Sequence, residues 1–281
     1  GTEPPPPPPP PPPPVLLQML NILNDIDLQR MGHNSTEYIH YLAETIKLSF
    51  ADRERYYGDP NYVNVPIEQL LSSEFAKKRQ QNIDPTKAWP EMPSAGVIKG
   101  FEGTSIVSNT NSAPSFSDPD TSYTCAMDKD GNVCSITPSD VSFESPVIPG
   151  LGFCPSARGS QSFAIRGHAS EIAPGKRPRL TPNPAIALRR NQFIMPLGAP
   201  GGDTQPQGML QVLLNHLVFG MDIQSSIEAP RFSTHSQPNS FEPHEAKPGR
   251  LAIEEGIGQN IGKGLSDLGH DIEWLKTRSD A

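Results

Sequence analysis

A threonine that directly follows an acidic loop is the residue of this chain best suited to nucleophilic chemistry. The loop ends at Asp120, and Thr121 begins a run of β-type residues. A threonine with a free α-amine carries its nucleophilic hydroxyl and its proton acceptor on one residue, so it needs no histidine base. Cleavage of the bond between Asp120 and Thr121 would create such a residue. The stretch also fits an ordinary loop before a strand, because threonine favours strands.

Two short β-type runs follow Thr121, and Asp130 and Gly131 lie between them. Both residue types tolerate a positive φ, and Asp-Gly between apolar runs is a strong hairpin signal. The pattern predicts a β-hairpin whose first strand begins at Thr121.

A glycine turn at residues 198–203 is the second candidate element. Gly201 and Gly202 precede an apolar helix predicted over residues 209–219, and Thr204 and Gln207 have capping-box spacing. Backbone N–H groups near a helix N-terminus can receive a developing oxyanion. The alternative is a glycine turn selected for tight packing.

Helical periodicity dominates the part of the chain before Thr121. Asn34 is the predicted N-cap of a long helix, with Glu37 as its capping-box partner. The charged residues 52–55 predict a solvated helix end. A shorter helix is predicted within residues 67–80, and residues 83–120 predict a loop that is functional, mobile or cut. Apolar residues recur on one face of the long helix at Ile39, Leu42, Ala43, Ile46 and Phe50.

The part after the hairpin predicts short strands alternating with helices. Strands are expected around residues 185–188 and 192–197, where apolar and β-branched residues cluster. A last helix is expected over residues 257–268, and it leads through a glycine into a strand at residues 271–275.

The composition excludes several classes of protein. The chain has 281 residues and a net charge of -8, without a cluster of Lys and Arg, so we expect no nucleic-acid partner. The three cysteines and seven histidines lack metal-ligand spacing, and we expect no metal site. No apolar run is long enough for a membrane span, and we expect a cytoplasmic protein, with a secreted or periplasmic location left open.

Residues 4–14 are eleven consecutive prolines. Proline lacks a backbone donor, so this run predicts a polyproline II rod outside any sheet or helix interior. Such a rod could bind an aromatic-lined groove of SH3 or WW type, or it could be the remnant of a tag or truncation.

Several segments in this order resemble the γ-glutamyltransferases, a family of N-terminal-nucleophile hydrolases. The resemblance implies an α+β fold, a four-layer αββα sandwich in complete or incomplete form, and no metal or organic cofactor. The matching segments are Gly32-His33-Asn34-Ser35, residues 50–56, Gly58-Asp59-Pro60, the Thr121 strand with its turn at 128–132, Gly175-Lys176-Arg177-Pro178, and Pro200-Gly201-Gly202.

The resemblance also implies a precursor that cleaves itself between Asp120 and Thr121. Residues 1–14 would form a polyproline tail, residues 15–120 the C-terminal part of a large subunit, and residues 121–281 a small subunit that begins with the nucleophile Thr121. Both subunits would come from one precursor, and a homo-oligomer is left open.

The roles of other site residues follow from the same resemblance. Ser139 matches a hydroxyl residue that contacts the region of the nucleophile. Gly201 and Gly202 match an oxyanion-hole pair. Thr181 lies where the family has paired serines that touch the substrate carboxylate, although Leu180 and Thr181 replace that pair here.

The predicted substrate depends on a missing carboxylate. A γ-glutamyl substrate carries an α-ammonium, yet the segment from Phe153 to Ile165 contains no Asp or Glu and contributes Arg158 instead. This segment resembles the acylase and oxamate amidohydrolase branch of the family, so we expect hydrolysis or acyl transfer on small amides. The alternatives are that Arg158 faces solvent, a true glutathione hydrolase that uses another carboxylate, and an inactive fragment or polyproline interaction protein.

Overall fold

The computed structural model describes residues 14–101, 121–140 and 145–276. Asp120, residues 102–119 and most of the polyproline run lie outside these ranges. The described residues form a mixed α+β architecture, and none of their helices is long and apolar enough to cross a bilayer. The helices are α1 Val15–Leu23, α2 Leu28–Met31, α3 Thr36–Tyr56, α4 Ile67–Leu70, α5 Ser73–Gln80, α6 Gln205–Leu217, α7 Ile223–Glu228 and α8 Gln259–Asp267.

Helix α3 begins one residue later than its sequence indicates. Ser35 is the N-cap, and its side chain accepts a hydrogen bond from the backbone N–H of Tyr38 at 3.1 Å. The prediction of Asn34 as N-cap is wrong, because Asn34 has a positive φ of 52° and its side-chain amide donates to the carbonyl of Pro230. Asn34 therefore fixes the start of α3 to the segment that follows α7.

The apolar face of α3 is the centre of the main core. All five of its predicted core positions are buried, as the helical period requires. This face packs with apolar residues of α1, α6 and the sheet that contains residues 251 and 253. Burial of such side chains is the main favourable contribution to folding.

The predicted hairpin after Thr121 is confirmed. Strands β1 Thr124–Met127 and β2 Val133–Ile136 are antiparallel, with Met127 opposite Val133. Gly131 has a φ of 84°, which explains the glycine at this turn, and the Asp128 carboxylate accepts the N–H of Asn132 at 2.9 Å. The turn thus carries its own hydrogen bonds.

A second hairpin lies beside the first. The two predicted strands are present as β3 Ala185–Arg189 and β4 Phe193–Leu197, and they pair antiparallel. Ser135 of β2 donates to the carbonyl of Leu197 at 3.3 Å. Alternate residues of this hairpin, such as Ala187, pack on the main core. The opposite face carries the exposed apolar side chains Ile186, Leu188 and Ile194.

A three-stranded sheet closes the other side of α3. Strand β5 Phe232–Thr234 pairs antiparallel with β6 Arg250–Glu254, which pairs in parallel with β7 Asp271–Leu275. Helix α8 connects β6 to β7. The strand predicted at residues 271–275 is confirmed, whereas β5 and β6 have no clear alternation and were not predicted.

A buried histidine pair joins α3 to β7. The Nδ1 atom of His40 lies 2.9 Å from Nε2 of His270, and Nε2 of His40 lies 2.8 Å from the carbonyl of Asp84. A carbonyl can only accept, so His40 donates to it through Nε2 and accepts from His270 through Nδ1. Burial, together with the charges of Lys47 and His40, lowers the pKa of His270 to about 3.

This pair predicts a loss of stability in mild acid. His270 is neutral in the fold but protonates near pH 6.5 when unfolded, so its contribution is complete above about pH 6.5 and falls as the pH drops toward 3. Between about pH 6.5 and 5 the free energy of unfolding should fall by about 2 kcal/mol through this group. Urea unfolding at several pH values measures the slope. His270→Asn should flatten it, and equal slopes in both proteins would contradict the assignment.

Candidate active site

Thr121 continues the first hairpin beyond its regular strands. It forms an isolated antiparallel bridge with Ser139, in the register set by the pairing of Thr124 with Ile136. The backbone N–H of Ser122 donates to the carbonyl of Pro138 at 3.0 Å. The regular strand thus begins at Thr124 rather than at Thr121, but the pairing still fixes the backbone of Thr121.

Three side chains form a hydrogen-bonded row that ends at the Thr121 hydroxyl. Thr121 Oγ1 lies 2.8 Å from Ser139 Oγ, and Arg158 Nη2 donates to the same Ser139 oxygen at 2.5 Å. A guanidinium can only donate, so Ser139 accepts from Arg158, and either hydroxyl of the Ser139–Thr121 pair can donate to the other. Positive charge at Arg158 makes Ser139 a stronger donor, and donation from Ser139 would stabilise negative charge on Oγ1.

Arg158 is buried, and the alternative that it faces solvent is wrong. Its guanidinium donates to Gln161 at 3.0 Å and to the hydroxyl of Thr181 at 3.4 Å. Burial lowers the pKa of Arg158, and the Asp140 carboxylate, whose Oδ1 lies 4.0 Å from Nε, partly opposes this effect. The fold therefore brings Thr121, Ser139, Arg158 and Thr181 into one cluster.

The glycine turn has an unusual backbone. Gly201 and Gly202 have φ values of 106° and 55°, both in the left-handed region that favours glycine. A short 3₁₀ turn at Gly202–Thr204 leads from them into α6. Within the described part of the chain, neither glycine N–H donates to a protein acceptor. Both donors are thus available to a ligand.

The expected capping box at this turn is wrong. The hydroxyl of Thr204 donates back to the carbonyl of Gly201 at 2.8 Å instead of capping α6. The side-chain amide of Gln207 donates to the carbonyls of Asp203 and Thr234. Polar side chains on both sides of the turn therefore fasten it to its neighbours.

The glycine turn begins beside the strand that carries Thr121. A Cβ atom added to Gly198 would come within 2.2 Å of the ring of Tyr123, so only glycine fits there. The hydroxyl of Tyr123 lies 3.0 Å from Ser135 Oγ. The described residues show no direct hydrogen bond from Gly201 or Gly202 to the Thr121 side chain. The contact between the turn and the Thr121 strand is instead the packing of Gly198 on Tyr123.

A buried charge network anchors the glycine turn to α3. Arg53 forms ion pairs with Asp203 and, at 2.9 Å, with Glu54, whose other partner is Arg179 at 2.8 Å. The prediction of a solvated end for α3 is wrong, because Asp52 is also fully buried and paired with an arginine of α5. For residues 52–54 the one signal in the sequence was the resemblance of residues 50–56 to the corresponding family segment.

The pKa shifts show how strongly these charges depend on one another. Burial alone would raise the pKa of Glu54, but Arg179 and Arg53 outweigh it and hold that pKa well below its usual range. Burial alone would lower the pKa of Arg53, yet the carboxylates of Asp203 and Glu54 raise it above its ordinary value. Glu54 and Arg53 thus remain charged inside the protein.

One group of described residues has the composition of a metal site. Ligand atoms of His40, Glu44 and His270 lie within 4.8 Å of one another, a proximity that sequence spacing did not indicate. The ammonium of Lys47 already lies 2.7 Å from the Glu44 carboxylate, whose other oxygen accepts the N–H of Trp89. A metal ion would have to displace Lys47, so this group fits a closed hydrogen-bond network better.

Comparisons with known proteins agree on one family. The sequence model of the family described as Gamma-glutamyltranspeptidase matches residues 5–280. The chain is 32% identical over 258 residues to a glutathione hydrolase proenzyme of Bacillus subtilis subsp. natto, covering 91% of this chain and 44% of that protein. It is 31% identical over 261 residues to the acylase ACY 1 proenzyme of a Pseudomonas species (strain SE83), covering 92% and 41%.

A solved structure gives the same result. The crystal structure of cephalosporin acylase from Bacillus halodurans superimposes with a TM-score of 0.72 at 27% sequence identity, over 94% of this chain and 43% of that one. The chain therefore spans less than half of the length of each of these three proteins.

Proposed function

The chain belongs to the gamma-glutamyltranspeptidase family, and on this premise we propose that it carries the active site of an N-terminal-threonine amide hydrolase or acyl transferase. The observation that carries the proposal is the hydrogen-bonded row from Arg158 through Ser139 to Thr121 Oγ1. A threonine that is only a structural residue of a strand does not require a donor that polarises its hydroxyl.

The proposed nucleophile is produced by self-cleavage. Thr121 Oγ1 attacks the carbonyl carbon of Asp120, the C–N bond between the two residues breaks, and the hydroxyl proton passes to the released amine. Water then hydrolyses the resulting ester, which frees the Asp120 carboxylate and restores the Thr121 hydroxyl.

Turnover follows the same chemistry with a second substrate. The Thr121 α-amine takes the proton from Oγ1, Oγ1 attacks the amide carbonyl, and the departing amine receives that proton as the C–N bond breaks. Water or an acceptor amine then resolves the acyl ester. In this proposal the N–H groups of Gly201 and Gly202 hold the oxyanion, and Ser139 stabilises Oγ1 as its proton leaves.

The proposed fold of the complete enzyme is the four-layer αββα sandwich. The β3–β4 hairpin presents one face to the helical core and an opposite face of exposed apolar side chains, among them Leu188 and Ile194. A contiguous apolar sheet face of this kind is usually covered in a finished protein. A second sheet packed on this face would complete the sandwich.

The proposed substrates are small amides with an anionic end. Arg158 has five N–H donors, and three of them point to Ser139, Gln161 and Thr181. Within the described residues its Nε and the second hydrogen of Nη2 have no hydrogen-bond partner, and Asp140 at 4.0 Å is the one carboxylate that approaches it. The Nε–Nη2 edge, which Asp140 already approaches, has the fork geometry that binds a carboxylate.

True glutathione hydrolase activity is the second candidate, because a glutathione hydrolase proenzyme matches with nearly the same identity as an acylase proenzyme. It would require a carboxylate for the substrate ammonium. Asp140 is a candidate for this carboxylate, because it follows Ser139 in the chain, lies 4.0 Å from Arg158 and is about half exposed.

Self-cleavage can be tested by replacing the nucleophile. The purified wild-type chain should yield two fragments, one ending at Asp120 and one beginning at Thr121, whereas Thr121→Ala should remain whole because the attacking oxygen is gone. Intact-mass spectrometry measures both. Equal cleavage of the two proteins, or an uncut wild type, would contradict the proposal.

The oxyanion role of the glycine turn can be tested with a matched pair of glycines. Gly202→Ala should misdirect an N–H donor and lower turnover on the order of 100- to 1,000-fold, the usual cost of losing one oxyanion donor. Gly220→Ala is the control, because Gly220 also has a positive φ, of 69°, but lies at the end of α6. Equal turnover in the two variants would assign Gly202 to turn geometry alone.

The substrate class can be tested with two amides that differ in one group. The monoamide of glutaric acid and L-glutamine share their carboxylate and amide, but only glutamine carries an α-ammonium. We expect a higher kcat/KM for the monoamide, because Arg158 attracts the carboxylate and repels the ammonium. Arg158→Ala should reduce the ratio of the two constants, a comparison that cancels any common loss of reactivity. A preference for glutamine would instead favour the glutathione hydrolase alternative.

A further inference from the structure

The side chain of Asp203 is the first one after the two glycines of the turn, and its carboxylate is fully engaged. Oδ1 pairs with Arg53 and accepts the hydroxyl of Ser240 at 2.8 Å, while Oδ2 accepts the backbone N–H of Ser240 at 2.7 Å. The side chain is 9% exposed. Asp203 thus joins three parts of the protein, namely the glycine turn, α3 and the loop before β6.

The turn needs such a connection because its own backbone is permissive. Gly201 and Gly202 both have a positive φ, and glycine alone can exchange such a conformation for others at little cost. Inside the turn, the carbonyl of Gly201 is held by the N–H and the hydroxyl of Thr204. Nothing within these four residues fixes the direction of the two glycine N–H groups relative to α3.

We propose that Asp203 is a positioning residue, which directs the N–H groups of Gly201 and Gly202 toward the reacting carbonyl by holding the turn to Arg53 and Ser240. This inference rests on the proposed function, because it assigns a supporting residue to the proposed oxyanion hole. An oxyanion hole accelerates a reaction only when its donors are fixed in advance, and a displacement of about 1 Å can cost about 100-fold.

The anchor itself is rigid. Arg53 is 3% exposed, its guanidinium also donates to Glu54 through Nε and Nη2, and it lies 4.1 Å from the centre of the Phe50 ring. An arginine held by two acids and an aromatic face has little freedom to follow a moving turn. Asparagine at position 203 would keep one oxygen acceptor for Ser240, replace the other with an NH2 donor, and lose the charge that attracts Arg53.

The test compares Asp203→Asn with a matched aspartate elsewhere. Asp222 accepts both the N–H and the hydroxyl of Ser225, as Asp203 does with Ser240, but it caps α7 at the surface and has no ion-pair partner among the described residues. Asp203→Asn should lower kcat about 10-fold with KM changed less than about twofold, since a displaced donor costs less than a lost one. Asp222→Asn should leave both constants unchanged.

Turnover is normalised to the amount of processed protein, counted by mass spectrometry of the fragment beginning at Thr121. An unchanged kcat in Asp203→Asn, or an increase in KM alone, would overturn the proposal. If Asp203→Asn does not fold, Ser240→Ala decides, because it removes only the 2.8 Å hydroxyl bond. It should lower kcat in the same direction, by a smaller factor, and an unchanged kcat would overturn the proposal.

A second measurement separates this inference from the proposed function. Hydrogen–deuterium exchange of the peptide that contains residues 201–204 reports the order of the turn without any substrate. Asp203→Asn should exchange faster there than wild type, whereas Asp222→Asn should not, and equal exchange would overturn the role of Asp203. If the wild type has no activity but Asp203→Asn still exchanges faster than wild type, the enzyme proposal is refuted and the role of Asp203 in ordering the turn stands.

Discussion

Four alternating charges at the end of α3 hold together the segments that carry the site. Arg53 and Glu54 are consecutive residues of one helix, yet they reach Asp203 beside the glycine turn and Arg179 two residues before Thr181. Desolvation of each charge is costly, and it is balanced only because every member has an opposite partner in hydrogen-bond contact. Removing one partner from such a network typically costs about 3–5 kcal/mol, because it leaves another charge buried and unpaired.

Such a network contributes position more than stability. Apolar side chains of similar volume often stabilise a protein as well as a buried ion pair does, but they do not fix direction. Here the direction matters, because Arg179 lies in a segment without regular secondary structure and Asp203 lies in a single 3₁₀ turn. Helix α3, buried on its apolar face in the main core, supplies the rigid reference to which both loops are tied.

The sequence predicted the features that depend on local chemistry. The period of the apolar residues gave the buried face of α3, and Asp130-Gly131 gave the hairpin that holds Thr121. It could not predict that residues 52–54 are buried, because a run of charged residues at a helix end has the same pattern whether it is solvated or paired with opposite charges. The partners of Glu54 and Arg53 lie 125 and 150 positions further along the chain, so only the tertiary fold reveals them.

In the cluster around Thr121, too, sequence reasoning identified single residues but not their contacts. Charge alone marked Arg158 as unusual, and the family resemblance marked Ser139 and Thr181, but no spacing rule places an arginine 19 positions away on the Ser139 oxygen. Arg158 lies in a short 3₁₀ turn, Arg158–Gln161, in which its side chain is buried. Strands β5 and β6 were not predicted, because their pairing also joins residues that are distant in the sequence.

In the proposed mechanism, the position of Arg158 would couple the charge of the substrate to the reactivity of Thr121. Nη2 donates to Ser139, while Nε lies 4.0 Å from the Asp140 carboxylate, on the edge proposed to bind the carboxylate of the substrate. A lysine could supply the charge but not both hydrogen-bonding directions, because its ammonium is a compact point charge without a planar fork. A substrate carboxylate on the Nε–Nη2 edge would partly neutralise the guanidinium and weaken its hydrogen bond to Ser139. Tight anion binding and strong activation of Thr121 therefore oppose each other, and a substrate that binds Arg158 moderately should react best.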